Sequence, residues 1–430
     1  MYRNAVCLSL SAILVLSFAS ACKRSAKQPE ASTENPVSKP VKPELGSFGV
    51  ELDSMDPTVK PGDDFNLYAN GTWLKNYTLK ADEQRFGAFV KLVYRSEDRV
   101  KAIIDELSQG DAPKGSLEQK VRDYFNSYMD LESRRARGIG PLQPDLDRIA
   151  AISNIGQLVE EFGRARQQES KSPFGGFIGI DRKDPDRYIL NIGHSGLGLP
   201  DRDYYLDDTE RFKNIRAAYR ANIERLLTLT GMEASAAAQS AESVLALETA
   251  MAQHHWPRAM LRDRDKTYNV MTVAQLSESH PGYDWRRHLV AAGVNAETVG
   301  TINVRTPSAL EPIAKLVKDT PLATWRAYLT YHSVVNHAQL LSPDVDNAVF
   351  DFYGKTLGGQ EKQRELWKRA VTLVGGGEGL GEALGKIYVD RHFSPDAKRK
   401  MDTLVENLRA ALDERVASLD WMGDATRSKT

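Results

Sequence analysis

The sequence predicts a mainly α-helical fold with a small β element. Apolar residues recur every three or four positions over long stretches, which is the spacing of one buried face of an α-helix. Strand-like runs are few: FGGFIGID at 174–181 and RYILNIGHS at 187–195 flank a charged turn and predict a β-hairpin. TINVR at 301–305 is a further short strand, and no solenoid-type repeat occurs.

The first clear helical pattern covers residues 116–135. Its apolar stripe has a four-residue spacing and consists of Leu117, Val121, Phe125 and Met129. Ser116 and Gln119 have the spacing of a capping box, in which two side chains satisfy backbone N–H groups at the helix start.

Five more helices are expected after this one. Their approximate ranges are 208–230, 236–254, 322–340, 360–373 and 395–419. Gly231 is expected to end the first of them, because glycine readily takes the left-handed conformation found after helix ends. The last has Ser394 as N-cap and Pro395 at its first position. Its apolar stripe consists of Met401, Leu404, Leu408, Leu412, Val416 and Leu419.

Composition excludes several classes of protein. The 430 residues carry 57 basic and 58 acidic side chains, so no basic excess favours nucleic acid or an anionic membrane surface as a partner. The two cysteines, Cys7 and Cys22, both lie at the N-terminus. The body of the chain therefore has no disulfide scaffold, cysteine-ligated metal or cysteine nucleophile.

The N-terminus predicts export to the cell envelope. Residues 1–21 have the charged start, short apolar core and small-residue end of a signal peptide. Cys22 follows at once and fits a bacterial lipobox, in which the cysteine is lipidated and anchors the protein, here to the outer membrane facing the periplasm. The alternative is simple cleavage after Ala21 and release into the periplasm, since Ala19 stands where a larger apolar residue is usual.

Residues 22–47 are predicted to combine this anchor with a disordered tether. The stretch after Cys22 is rich in Lys, Pro, Ser and Glu and has almost no large apolar side chains. Such a segment cannot bury enough surface to offset its chain entropy. The folded region is therefore expected to cover 48–430.

The residues alone reveal no catalytic site. A zinc-peptidase helix needs His-Glu-x-x-His, because side chains four apart reach one metal and the Glu activates its bound water. That motif does not occur here, and His332 and His337 are five apart, about 140° around a helix. We interpret them as packing or surface residues. The glycine-rich run at 375–385 lacks the phosphate-loop pattern and predicts a turn between helices.

Five longer strings, in order, resemble the neprilysin and endothelin-converting-enzyme family of zinc metallopeptidases. They are DPTVKPGDDFNLYANGTWLKN (56–76), GLGLPDRDYYL (196–206), RDRDKTYNVMTVAQL (262–276), FDFYGKTLGGQEKQRELWKRAV (350–371) and YVDRHFSPDAKRKMDTLVENLRAALDERVASLDWM (388–422). The resemblance implies a two-lobed protein in which a multi-helix lobe caps a zinc-bearing catalytic lobe. It also implies that this chain supplies most of the capping lobe and only some N-terminal strands and helices of the catalytic lobe.

The same resemblance implies one substrate-binding residue. ADEQRFGAF (81–89) resembles the family string in which an arginine reaches the substrate's C-terminal carboxylate, which here is Arg85. A guanidinium fork matches a carboxylate in a bidentate way. The alternative is an arginine in a structural ion pair between lobes. Val90 stands where some members have an acid, which weakens a strict preference for free C-termini.

The sequence therefore supports two hypotheses of function. The first is the N-terminal portion of an exported zinc metalloendopeptidase that acts on small peptides, inactive alone because the family's zinc ligands are absent from these residues. Zinc is expected only in the complete family protein, and an incomplete chain should expose apolar faces. The alternative is a non-enzymatic envelope lipoprotein that binds peptides or a partner protein.

Overall fold

The computed structural model describes residues 50–377 and 379–429. The predicted signal peptide, the lipidation site Cys22 and the tether lie outside the described residues. Within the described ranges, no helix combines the length and the apolar character that a bilayer-spanning segment requires. The described chain divides into two compact units, with the boundary between Thr78 and Leu79.

The described part of the first unit is a short 3-10 turn, Leu52–Ser54, followed by helix α1, Phe65–Asn76. Asp56 organises it, because its carboxylate accepts hydrogen bonds from the Lys75 ammonium at 2.6 Å and the Thr58 hydroxyl at 2.5 Å. These bonds lower the pKa of Asp56 to about 2. A side chain at Gly71 would lie 2.7 Å from the Asp56 Cβ, so the helix packs on this residue only through a glycine.

The second unit is mostly helical. Its α-helices are α2 (Ala88–Gln109), α3 (Leu117–Met129), α4 (Leu131–Arg137), α5 (Gln143–Ala150), α6 (Ile155–Arg164), α7 (Asp203–Leu206), α8 (Glu210–Leu229), α9 (Ala234–His254), α10 (Arg258–Arg262), α11 (Val273–Ser279), α12 (Trp285–Ala291), α13 (Pro307–Asp319), α14 (Leu322–His337), α15 (Pro343–Val349), α16 (Leu366–Gly375), α17 (Gly381–His392), α18 (Pro395–Ala417) and α19 (Asp424–Arg427). Two 3-10 turns, Gly140–Leu142 and Ala338–Leu340, and one π-helix, Phe350–Leu357, join them.

Four short strands form one sheet in this unit. They are β1 (Phe174–Ile180), β2 (Tyr188–His194), β3 (Val270–Thr272) and β4 (Thr301–Val304), in the spatial order β1-β2-β4-β3. β1 and β2 pair antiparallel, which confirms the predicted hairpin, and β4 is the predicted third strand. β4 runs parallel to β2 and antiparallel to β3. β3 was not predicted, because three residues are too few to show an alternating pattern.

Two hydrophobic cores hold the second unit together. The larger packs α8, α9, α13 and α14 against the sheet, around fully buried aromatic residues such as Tyr219, Trp325 and Tyr328. The smaller joins α2 and α3 to α16 and α17 through Ile103, Ile104, Val121 and further apolar side chains. The mainly α architecture with a small β element is therefore the one that the apolar periodicity predicts.

The helical pattern at 116–135 is two helices rather than one. Asp130 ends α3 and caps α4, because its carboxylate accepts a hydrogen bond from the Ser133 backbone N–H at 2.9 Å. The predicted capping box is only half formed. Ser116 accepts from the Gln119 N–H, but the Gln119 side chain accepts from the N–H of Gly115 instead of Ser116.

The helix predicted at 360–373 was placed too early. The structure has the π-helix first, then a loop at 358–365, and only then α16. Gly359 lies in the left-handed region at φ 74°, where glycine is favoured, and so breaks the helical path. The Lys362 N–H donates to the Ala81 carbonyl at 2.8 Å, which fixes this loop outside any helix.

Candidate functional site

Arg85 lies in the loop that leads into α2. Its side chain is exposed, and it forms no ion pair or hydrogen bond with any residue in the described ranges. The guanidinium therefore remains available to a ligand on this face of the second unit.

Glu83 fixes the backbone beside Arg85. Its buried carboxylate accepts hydrogen bonds from the Tyr94 hydroxyl and from the Lys80 N–H, each at 3.0 Å. The carbonyl of Ala81 is bonded to Lys362, so the loop is held at two points within four residues of Arg85. A loop fixed in this way presents its arginine with less loss of conformational entropy on binding.

Cationic groups surround the ring of Tyr94. The Lys80 and Lys368 ammonium groups lie 5.7 and 5.6 Å from the ring centroid, and the Arg364 guanidinium lies 5.9 Å from it. Burial and the hydrogen bond to the Glu83 carboxylate raise the pKa of Tyr94 to about 12. The phenol is therefore neutral at physiological pH and donates its proton to Glu83.

An ion pair joins α2 to the loop before α16. Arg364 donates to both carboxylate oxygens of Glu97, at 2.8 and 2.6 Å. This contact, made by the single Nη2 nitrogen, ties the middle of α2 to the loop before α16, and both helices line the same groove.

The groove beside this pair has a volume of about 750 Å³ and is mostly apolar. It lies between α2, α16 and α17, and its lining includes Phe89, Leu92, Val93, Val100, Val371, Leu384 and Val389. Phe89 is 85% exposed and Val93 is 51% exposed. Apolar side chains of this size are usually buried in a complete interface. The groove therefore offers an apolar binding surface next to the loop that carries Arg85.

The described residues do not fit a zinc ion. No group of three or more His, Cys, Asp or Glu side chains in the described ranges is arranged to hold a metal. His332 is buried and bonded to Glu248, and the His337 ring lies 2.8 Å from the Ser333 carbonyl on its own helix, as expected for packing residues. The described residues 376, 377, 379 and 380 of the glycine-rich run lie between α16 and α17, in agreement with the predicted turn between helices.

One fully buried carboxylate, that of Glu248, was not predicted from the sequence. Glu248, on α9, is fully buried and contacts Tyr205, Tyr219 and His332. The available signal in the sequence was a charged residue within the apolar stripe of α9. Such a residue indicates buried partners, because charged residues are almost never buried without them. The three partners lie 29 to 84 residues away along the chain, and no local pattern connects them.

Comparison with known proteins shows one family. The family model for the N-terminal region of peptidase family M13 matches residues 61–430. The chain is 28% identical over 393 residues to endothelin-converting enzyme-like 1 of Rattus norvegicus and 27% identical over 387 residues to endothelin-converting enzyme 1 of Homo sapiens. Each alignment covers 87% of this chain and 49% of the relative.

The same likeness is seen in three dimensions. The fold matches the crystal structure of the zinc metalloprotease Zmp1 of Mycobacterium tuberculosis, in complex with an inhibitor, with a TM-score of 0.80 and 34% identity. This match covers 88% of this chain and 57% of the mycobacterial chain. The chain thus spans about half the length of the curated relatives it matches.

Proposed function

This chain belongs to peptidase family M13, and on that premise we propose that it forms the helical, substrate-enclosing part of a zinc metallopeptidase. The zinc-binding and catalytic residues of such an enzyme would come from polypeptide outside these 430 residues. Peptide hydrolysis would then be a property of the assembled protein, and this chain alone would be inactive.

The observation that carries the proposal is the apolar stripe of α18. Met401, Leu404, Val405, Leu408 and Leu412 are 43 to 62% exposed, and α18 has no buried residue at all. A 23-residue helix with an exposed apolar face is stabilised poorly by its own chain. This stripe therefore supports contact with a further polypeptide region.

We propose that Arg85 binds the C-terminal carboxylate of a peptide substrate. The exposed guanidinium and the fixed loop beside it support this role. The adjacent groove would accept an apolar side chain near the peptide's C-terminus. Carboxylate binding by a guanidinium contributes about 1.5 to 3 kcal/mol when the bond is charge-assisted.

The first experiment tests assembly. The DNA beyond codon 430 would be read, and the polypeptide that it encodes would be co-expressed with this chain. We expect a His-Glu-x-x-His motif in that polypeptide, a stable complex, and zinc-dependent peptide cleavage only by the complex. Stoichiometric zinc and turnover by the purified chain alone would overturn the proposal.

A matched pair of variants locates the contact. Leu408→Glu should weaken the complex at least tenfold, because it places a charge on the apolar stripe of α18. Arg409→Glu, at the next position, which is also exposed, should leave the dissociation constant nearly unchanged. Equal effects of the two variants would show that α18 does not make the contact.

Arg85 is tested by peptide binding to the complete chain. A fluorescent peptide with a free C-terminus would be compared with its C-terminal amide by fluorescence anisotropy. Arg85→Gln should weaken binding of the free acid about 10- to 100-fold and leave binding of the amide unchanged. Lys101→Gln, a charge removal further along α2, is the control. Equal binding of acid and amide would contradict the assigned role.

We propose further that the protein is exported and held in the envelope by lipid on Cys22. The support is the sequence of residues 1–22 and the polar segment after it. Cys22→Ser should abolish incorporation of labelled fatty acid and release the protein into the soluble periplasmic fraction. Cys7→Ser is the matched control, and periplasmic release of the unaltered chain would favour simple cleavage.

A further inference from the structure

Strand β1 forms one edge of the sheet, and the hydrogen bonds of β2 show which way β1 faces. The Ile192 carbonyl accepts from the Arg305 N–H at 2.7 Å, and the His194 N–H donates to the Thr306 hydroxyl at 2.9 Å. These backbone groups of β2 therefore point away from β1. Their register partners on β1 are Gly176 and Phe174. In an antiparallel pair, such residues direct their own N–H and C=O groups to the opposite, outer side.

The two ends of the hairpin confirm this alternation. The Ser195 N–H donates to the Pro173 carbonyl at 2.9 Å, and the Asp181 N–H donates to the Arg187 carbonyl at 3.0 Å. The polar backbone groups of the odd-numbered residues from 173 to 181 therefore face β2. The backbone groups of Gly176, Ile178 and Ile180 face outward, and β1 pairs with no strand other than β2 in the described part of the chain.

This edge has none of the features that usually protect one. β1 reads FGGFIGI, without a proline or a charged residue. Ile178 is 68% exposed and Ile180 is 59% exposed. Natural edge strands are commonly blocked by charge, proline or a bulge, because open N–H and C=O groups accept another strand.

A cavity of about 880 Å³ opens beside the same edge. The sheet contributes Gly176, Ile178 and Ile192 to its wall, and α6 and α12 contribute Phe162 and Leu289. Gly176 is exposed and has no side chain to close the cavity at the edge. An apolar side chain on a strand paired with β1 would therefore have space between the sheet and the two helices.

The rim of this cavity carries an excess of positive charge. Arg166 and Lys171 line it, and neither forms an ion pair or hydrogen bond with a residue in the described ranges. The single acid on the rim is Glu169, whose backbone has φ 44° and whose carbonyl accepts from the Asn336 amide at 2.6 Å. The two cations favour an acidic residue on the ligand.

We propose that β1 binds an extended peptide segment as an added strand, with one apolar side chain in the cavity and an acidic residue beside Arg166 and Lys171. Main-chain hydrogen bonds to Gly176, Ile178 and Ile180 supply affinity, and the cavity and rim supply selectivity. This site is separate from the loop that carries Arg85. It does not depend on the chain being part of a peptidase.

The first test uses the complete chain and a labelled octapeptide, acetyl-Thr-Val-Thr-Leu-Thr-Val-Asp-Glu-amide. The amide removes the carboxylate that Arg85 would bind, so failure here is distinct from failure of the proposed function. Two forms of the probe carry backbone N-methyl groups, one on both valines and the leucine, the other on the second and third threonines. Because alternate N–H groups of a strand face opposite sides, one form should lose binding at least tenfold and the other should retain it. Equal binding of the two forms, or no binding of the unmodified probe, would overturn the proposal.

Two protein variants complete the test. Ile178→Lys places a charge on the edge at an exposed position and should weaken probe binding at least tenfold. Val290→Lys on α12 is 60% exposed and does not line the cavity, so it should bind the probe as the unaltered chain does. A dimer in size-exclusion chromatography that Ile178→Lys dissociates, without probe binding by the monomer, would assign the edge to a second copy of this chain instead.

Discussion

The Nε2 atom of His332 on α14 lies 2.7 Å from the Oε1 atom of Glu248 on α9, with both side chains almost fully buried. The same carboxylate accepts hydrogen bonds from the Tyr205 hydroxyl at 2.5 Å, the Tyr219 hydroxyl at 3.0 Å and the Gly198 N–H at 3.1 Å. Burial lowers the pKa of His332 and raises the pKa values of both tyrosines well above the usual range. Glu248, on α9, thus connects core helices α8 and α14 to the segment that follows the hairpin.

Removing this carboxylate should destabilise the second unit strongly. Glu248→Ala leaves two hydroxyls, an N–H and an imidazole without their shared acceptor in the core. A loss of one partner from a buried charged network costs about 3 to 5 kcal/mol. Urea titration of Glu248→Ala and of the unaltered chain measures this loss in the free energy of unfolding. Glu242→Gln, an exposed change on the same helix, should alter that value by less than about 0.5 kcal/mol.

Gly198 is a second sensitive point of the same cluster. A Cβ there would lie 2.8 Å from the Tyr219 ring carbon that carries the hydroxyl and even closer to the hydroxyl oxygen. Gly198→Ala should therefore displace Tyr219 from Glu248 and lower the melting temperature in calorimetry. Gly385→Ala in α17 has open space around its Cβ and should stabilise the chain by about 0.5 to 1 kcal/mol. A melting temperature that is unchanged by Gly198→Ala would contradict the close packing of Gly198 against Tyr219.

Burial of His288 should make stability depend on pH. Burial lowers its pKa from 6.5 to about 4, so the folded chain resists protonation of this ring while the unfolded chain accepts the proton below pH 6.5. The contribution of the neutral His288 ring to the free energy of unfolding is fully present above about pH 6.5 and is lost as the pH falls towards 4. It amounts to about 2 kcal/mol between pH 7 and pH 5.

The comparison of two variants isolates this effect. Urea titrations at pH 7 and pH 5 give the fall in the free energy of unfolding for each protein. This fall should be about 2 kcal/mol smaller for His288→Gln than for the unaltered chain. His392→Gln, at an exposed position in α17, should keep the original pH dependence. An identical fall in all three proteins would assign the pH dependence to other groups.

The apolar stripe of α18 should promote association between protein molecules and add little to the stability of the fold. Leu408 is 62% exposed, so Leu408→Gln should change the free energy of unfolding by less than about 0.5 kcal/mol and reduce self-association in sedimentation. Leu226, which is fully buried in α8, is the contrast, because Leu226→Ala should cost about 2 to 5 kcal/mol. A large loss of stability in Leu408→Gln would mean that α18 is packed in solution.

Local pattern was enough for the hairpin and for most of the six helical ranges predicted from the sequence, but it did not reveal others, such as the 22-residue α2. The four-residue spacing of Val121 and Phe125 and the signals at Ser394 and Pro395 are local features, and the structure confirms the helices that they predict. The misplaced start at 360 arose from the contact between Lys362 and Ala81, which no local pattern contains. Arg85 was found only through its resemblance to a family string, and its role stays a prediction.

By itself, the sequence determined the helical class, the hairpin and the family. It also showed that His-Glu-x-x-His is absent from these 430 residues. Each of these features depends on residues that are close together in the chain. Only the tertiary structure decided which apolar stripes are buried. The stripe of α8 lies in the core, whereas the equally regular stripe of α18 is exposed. Periodicity shows that a helix has an apolar face, but burial requires a second surface to pack against it, and that surface is set by distant parts of the chain. For the same reason, only the structure revealed the Glu248 cluster and the open edge of β1.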